Sequence, residues 1–236
     1  MSTALVLSGG GTRGDFEVGA VRCLYNRGIR PQLIAGSSVG AINAATLAQG
    51  DGGLDQLEQI WRSLSEDSDM YLNEPWLDGL EPKLRNLFRL EIARLLIDAA
   101  WLTGHFLPSA VVFSAIAHGI QAASVMDLLD KFSKSKSMYN LSPIRGRLDR
   151  ELDTGRVARS GIRLRLATVS LESGKLRFID EQGRFLDPPA TAVDLREAIM
   201  ASAGIPGIFP AVKLDAENFV DGGVREVAPV GYVADD

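Results

Sequence analysis

One cysteine and two histidines are all that 236 residues supply of the side chains most used for disulfides and soft-metal sites. The lone Cys23 excludes an internal disulfide framework. It sits in a helical-looking stretch with Val18, Val21, Leu24 and Tyr25, which reads as a buried structural thiol. His105 and His118 have no cysteine or carboxylate at ligand spacing, so no metal site is expected. A formal charge of −5 gives no general basic excess, which argues against nucleic acid as a partner. No basic region precedes an apolar run at the N-terminus, the arrangement a secretory signal needs. A cytoplasmic protein, in peripheral contact with a membrane, is the expectation. No internal repeat or low-complexity tract is evident.

What is present is globular: 46% hydrophobic and 23% charged residues, enough for one large α/β domain or two small ones. Charge is unevenly spread. Residues 131–165 carry ten Lys/Arg against three Asp/Glu, a local +7 against −12 for the rest. This reads as a solvated surface, with a site for phospholipid head groups as the functional alternative. Residues 99–126 hold no charged side chain. That length suffices to span a bilayer, but Gly104, Pro108, Gly119, Gln121 and both histidines interrupt it. A buried helical cap is the better reading, and a surface that touches lipid is the alternative.

Along the chain, residues 4–8 read as a strand, 9–11 as a glycine turn and 14–27 as a helix. The pattern repeats at once, with a strand over 32–35, a turn at 36–37 and a helix over 38–49. Two such units point to a parallel sheet flanked by helices. From about 54 to 152 the character is helical, with Leu84, Leu87, Phe88, Leu95 and Leu96 on one helix face. Strands are expected over 163–170 and 176–179, joined by a turn at 172–174. A helix over 194–202 follows, then a Pro-rich segment at 205–210 and strands over 212–214 and 218–220.

Gly36-Ser37-Ser38-Val39-Gly40 is a G-x-S-x-G element at a strand-to-helix turn, the setting that exposes a nucleophilic serine. Side chains at Gly36 or Gly40 would collide with the strained backbone or block an approaching ester. The helix that starts there aims the positive end of its dipole at Ser38, which favours alkoxide and oxyanion character. Gly9-Gly10-Gly11-Thr12-Arg13-Gly14 also follows a strand and opens a helix. It matches the dinucleotide fingerprint, but the second strand ends in Gly36-Ser37-Ser38 without the carboxylate that a ribose needs. The glycine run therefore fits better as a source of backbone N–H donors for an oxyanion. For a base, neither histidine is well placed in the pattern. Asp221 ends a strand, precedes Gly222 and Gly223, and lies where carboxylates are scarce. A desolvated carboxylate can take a serine proton directly; a simple Asp-Gly-Gly turn is the alternative.

Taken together these blocks resemble the patatin-like phospholipase family, from Thr3 to about Val230. The resemblance rests on Gly9, Gly10, Gly11, Arg13 and Gly14 as a glycine-rich oxyanion block, and on Gly36, Ser38 and Gly40 as the serine turn. It rests also on Asp221-Gly222-Gly223 and on the Ala-Ser…Pro…Phe-x-Pro segment from Ala201 to Pro210. It implies a Ser38–Asp221 dyad, lipid acyl esters as substrates in the manner of a phospholipase A or lysophospholipase, and no metal or cofactor. The implied fold is α/β: a single domain over 1–236, a three-layer α/β/α sandwich with a mostly parallel central sheet and a helical cap over about 54–152. Two departures stand out. Ala228-Pro229 occupies a position where the family often has Asn-Pro, and the family continues with a helix and strand after the point where this chain stops. The sheet is therefore expected to lack an edge element. An acyltransferase using the same dyad and a non-catalytic lipid-binding module are the competing functions.

Overall fold

A computed structural model describes residues 3–80, 130–131, 134–135 and 137–234. The histidines, the apolar helix face from Leu84 to Leu96 and the uncharged stretch 99–126 lie outside the described residues. The chain divides into two compact units, Met1–Leu72 with Leu141–Asp236, and Asn73–Asn140.

The first unit is built on a six-stranded mixed sheet. Strand β1 (Ala4–Leu7) leads through a glycine loop into helix α1 (Gly14–Asn26), and β2 (Leu33–Gly36) into α2 (Val39–Leu47). Helix α3 (Gly53–Ser63) follows; α4 (Pro75–Asp78) belongs to the second unit. Helices α5 (Ser142–Glu151) and α6 (Thr154–Arg159) precede strands β3 (Arg163–Ser170) and β4 (Leu176–Ile179). Helix α7 (Leu195–Ser202), strands β5 (Val212–Leu214) and β6 (Glu217–Asp221) and the short α8 (Val230–Ala234) complete it.

The strand order is β1-β2-β3-β6-β5, with β4 also paired to β3. Pairs β1/β2 and β2/β3 are parallel, and β3/β4, β3/β6 and β5/β6 are antiparallel. A mostly parallel sheet, expected from the first fifty residues, is thus corrected to a mixed one. The reason is in the connections. Parallel neighbours need long crossovers, which α1 and the helices between β2 and β3 supply. By contrast, β3 to β4 and β5 to β6 are joined by short turns that reverse the chain, and the long segment through α7 brings β6 back antiparallel to β3. One of these turns holds Gly174 at φ +66° and another Asp215 at φ +54°.

Every residue of β2 is buried, as a central strand covered on both faces requires. Helix α2 is built of small and apolar residues and is buried nearly all round, so it sits inside the core against the sheet. Helix α7 buries Leu195, Ala198, Ile199 and Ala201, and its N-cap Asp194 accepts from the Arg196 and Glu197 N–H groups. Helix α1 turns Val18 and Val21 inward. Cys23, expected to be buried, is exposed. Two positions beyond Val21 lie about 200° around the helix, on the solvent side.

Much of the basic stretch is tied to the protein itself. Arg145 pairs with Glu197 and Asp149, Arg147 donates to Ser63 Oγ at 2.7 Å, and buried Arg165 lies 3.6 Å from Glu181. In the second unit the described ends are tied by Glu74 N–H to the Met138 carbonyl (2.8 Å) and Trp76 Nε1 to the Ser137 carbonyl (2.9 Å). Among the described residues no helix is long and apolar enough to cross a membrane.

Candidate active site

The turn between β2 and α2 is so tight that two side chains are excluded from it. A Cβ on Gly36 would lie 2.3 Å from the Gly40 carbonyl oxygen, and one on Gly40 would lie 2.4 Å from the Leu7 carbonyl oxygen at the end of β1. Both contacts are with backbone, which cannot swing aside. The residue between them, Ser38, takes φ +57° and ψ −129°, a conformation that costs a side-chain-bearing residue about 1–3 kcal/mol. The strain is stored where strand meets helix, and it holds the serine at the N-terminus of α2.

Asp221 reaches the same place from the end of β6. Register pairs it with Thr168 of β3, and a Cβ on Gly222 would lie 2.5 Å from the Ala167 carbonyl oxygen, so the glycine lets the chain turn against β3. The Ser38 side chain lies beside the Asp221 carboxylate and acts on its titration. Gly223 N–H donates to Asp221 Oδ1 at 2.7 Å. Asp221 is only 3% exposed. Burial pushes its carboxyl up to about 6, against the smaller opposing pull of the Ser38 and Gly223 hydrogen bonds. The result is a carboxylate that is ionised above pH 6 and more basic than an ordinary aspartate, as a proton acceptor for a neighbouring hydroxyl must be.

The glycine loop lies beside this pair: a Cβ on Gly9 would sit 3.1 Å from Ser38 Cβ and 3.8 Å from Ser38 Oγ. Its members divide into two groups. Gly9 N–H donates to the Val227 carbonyl (2.9 Å), Arg13 N–H to Gly10 (3.2 Å) and Gly14 N–H to Gly11, so these three hold the loop's shape. Among the described residues the N–H groups of Gly10, Gly11 and Val39 have no acceptor. They are available to an acceptor from outside the loop. The Arg13 side chain is exposed and lines, with Gly9, Gly10, Phe16 and Val39, a groove of about 430 Å³. Phe16 is 80% exposed at that groove, and Val224 and Val227 are also exposed on the loop that follows Asp221.

A second set of residues, not anticipated from the motifs, braces the loop. Glu17 accepts from Ser8 N–H (2.6 Å) and Ser8 Oγ (3.2 Å). Fully buried Asn43 donates to the Gly14 carbonyl (3.1 Å) and to Glu17 (3.0 Å), and accepts from Trp61 Nε1 (2.9 Å). The signal was present in the sequence: an asparagine in the otherwise apolar run of α2 must find partners once buried. Gly14 permits the bracing, because a Cβ there would meet Trp61 and Val39 at 2.7 Å. All the residues of this site belong to the first unit. Among the described residues no group of three or more His, Cys, Asp or Glu is arranged to hold a metal ion.

Comparison with known proteins agrees on the family. The profile described as "Patatin-like phospholipase" matches residues 5–234. Triacylglycerol lipase 4 of Saccharomyces cerevisiae is 25% identical over 250 residues, covering 99% of this chain and 22% of the yeast protein. Triacylglycerol lipase 5 of the same organism is 24% identical over 225 residues, covering 95% of this chain and 24% of the relative. Lysophospholipase nte1 of Aspergillus terreus is 46% identical over 48 residues, which are 20% of this chain and 3% of that protein. The chain thus spans less than a quarter of the length of these relatives. In structure it is similar to VipD from Legionella pneumophila, with a TM-score of 0.51 at 17% identity over 94% of this chain and 46% of that one.

Proposed function

The chain belongs to the patatin-like phospholipase family, and from that premise we propose that it is a lipid acyl hydrolase, cleaving carboxylic esters through Ser38 and Asp221. The observation that carries the reading is the buried Asp221 carboxyl, raised to about 6 by burial and drawn back by the Ser38 side chain beside it. In the proposed sequence Asp221 takes the Ser38 proton as Oγ attacks the ester carbonyl. The N–H groups of Gly10, Gly11 and Val39 hold the tetrahedral oxyanion, where each donor contributes about 3–4 kcal/mol. Collapse expels the alcohol with the proton from Asp221 and leaves an acyl group on Ser38. Water, deprotonated by Asp221, then attacks the acyl carbon, and as the bond to Ser38 Oγ breaks Asp221 returns the proton to Oγ and the fatty acid leaves. Histidine has no part in this scheme.

We read the chain as one patatin-like domain with a helical insertion over about 54–152, in a three-layer α/β/α arrangement. Exposed Phe16, Val224 and Val227 support an apolar substrate and peripheral contact with a lipid surface. The substrate class is a phospholipid or lysophospholipid, and the names of the two yeast relatives add triacylglycerol to the panel that tests it. The test is product analysis on phospholipid, lysophospholipid and triacylglycerol, with Ser38→Ala as control. Release of fatty acid by the wild type and not by the variant is expected. Equal release by both, or none from any lipid, would overturn the proposal.

A further inference from the structure

A strained turn must be held from outside, and the group that holds Ser38 comes from a distant part of the chain. Ser38 N–H donates to Ser202 Oγ at 3.2 Å, across 164 residues of sequence. Ser202 Oγ in turn donates to the Ala167 carbonyl of β3 at 2.7 Å. Ser202 is fully buried, at the last position of α7. Two residues on, the Gly204 carbonyl accepts from Asp221 N–H at 3.0 Å. The short segment from Ser202 to Gly204 therefore grips the backbone of both candidate dyad members, one through a side chain and one through a carbonyl. Ala167, the acceptor for Ser202, is also the residue against which Gly222 packs.

From this arrangement we infer that Ser202 is a positioning residue for the ester-hydrolysing pair. Its hydroxyl fixes the Ser38 backbone in the positive-φ conformation and ties that conformation to the strand beside Asp221. The inference rests on the proposed roles of Ser38 and Asp221. Ser202 touches no reacting atom; it acts by keeping Ser38 Oγ within reach of the carboxylate and of the Gly10, Gly11 and Val39 donors. Without its hydroxyl, Ser38 N–H and the Ala167 carbonyl both lose a buried partner, and the turn is free to relax toward ordinary φ. Because oriented attack is sensitive to displacements of about 1 Å, the loss falls on kcat.

The test uses the full chain, with active serines counted by a fluorophosphonate so that rates refer to competent molecules. Ser202→Ala is expected to lower kcat per labelled serine by about 10–100-fold with KM within about threefold of wild type. The acid limb of the pH profile stays in place, since Asp221 keeps its burial. Ser202→Cys, in which sulfur fills the space but accepts hydrogen bonds poorly, keeps the inference testable if the alanine variant fails to fold. It is expected to melt close to wild type and still lose kcat. Wild-type kcat per labelled serine in the folded variants, or a loss confined to KM, would overturn the positioning role. Absence of labelling in the wild type would instead overturn the proposed function.

Discussion

The two ends of the central strands carry opposite kinds of chemistry. At the ends of β2 and β6 the chain brings together glycines, a serine and one buried acid beside a groove of about 430 Å³. At the start of β2 and β3 a larger groove, about 710 Å³, is lined by Arg22, Arg30, Arg156, Arg159, Asp51 and Asp55. On size and charge alone the second would attract attention first. Three of these four arginines are nevertheless engaged with the protein. Arg156 donates to the carbonyls of Gln49 and Asp51 just past α2, Arg30 to those of Tyr25 in the last turn of α1 and Ile29 just past it, and Arg22 pairs with Asp55 and Glu58 of α3. Arg156 and Arg30 thus answer the negative ends of helices. At the other end burial of Asp221 is the dominant influence on its carboxyl, which is raised to about 6. Strain and desolvation gather at one end, and the dense charge, largely tied to the protein's own structure, at the other.

The sharpest break in that comparison is Asp221→Asn. Activity is expected to fall about 10³-fold or more, since the base is gone. Stability is expected to move the other way. The Asp221 carboxyl titrates higher in the folded chain than when unfolded, so its contribution is favourable below the unfolded range and is lost as pH rises through about 6. Chemical denaturation at pH 8 should therefore find the asparagine variant more stable, by about 1–3 kcal/mol, and at pH 4 nearly equal to wild type.

Gly40→Ala tests whether the tight turn is as constrained as its contacts imply. With a Cβ 2.4 Å from the Leu7 carbonyl oxygen, a loss of about 3 kcal/mol or more is expected in thermal or denaturant melts. The pH–rate profile gives a smaller effect: kcat/KM should fall about tenfold per unit as pH drops below about 6, because protonated Asp221 cannot act as base. At the far end Arg156→Ala is expected to cost about 1 kcal/mol of stability through its lost carbonyl contacts. Hydrolysis should stay within about twofold of wild type. A large loss of activity there would break the contrast between the ends.

What the sequence disclosed follows the same division. The tight turns at Ser38 and Asp221 were legible because each lies in a local pattern, a strand end with glycines beside it, whose need for glycine the 2.3–2.5 Å backbone contacts explain. Strands 163–170 and 176–179 were legible from alternation and the turn between them, and they occur as β3 and β4. Strand direction in the second half was not, because pairing of β3 with β6 depends on tertiary placement that no local pattern encodes. Cys23 is exposed because it lies on the solvent side of α1, opposite Val18 and Val21, a phase that a helical pattern alone does not assign. Ser202 stood within a recognised segment, yet its partner is 164 residues away, and only the folded chain brings the two together.

The central claim is tested most directly by treating the protein with a fluorophosphonate at pH 8 and locating the adduct by peptide mass spectrometry. The expected result is a single modification at Ser38, absent from Ser38→Ala and strongly slowed in Asp221→Asn. No adduct, or one at another residue that persists in Ser38→Ala, would contradict the account.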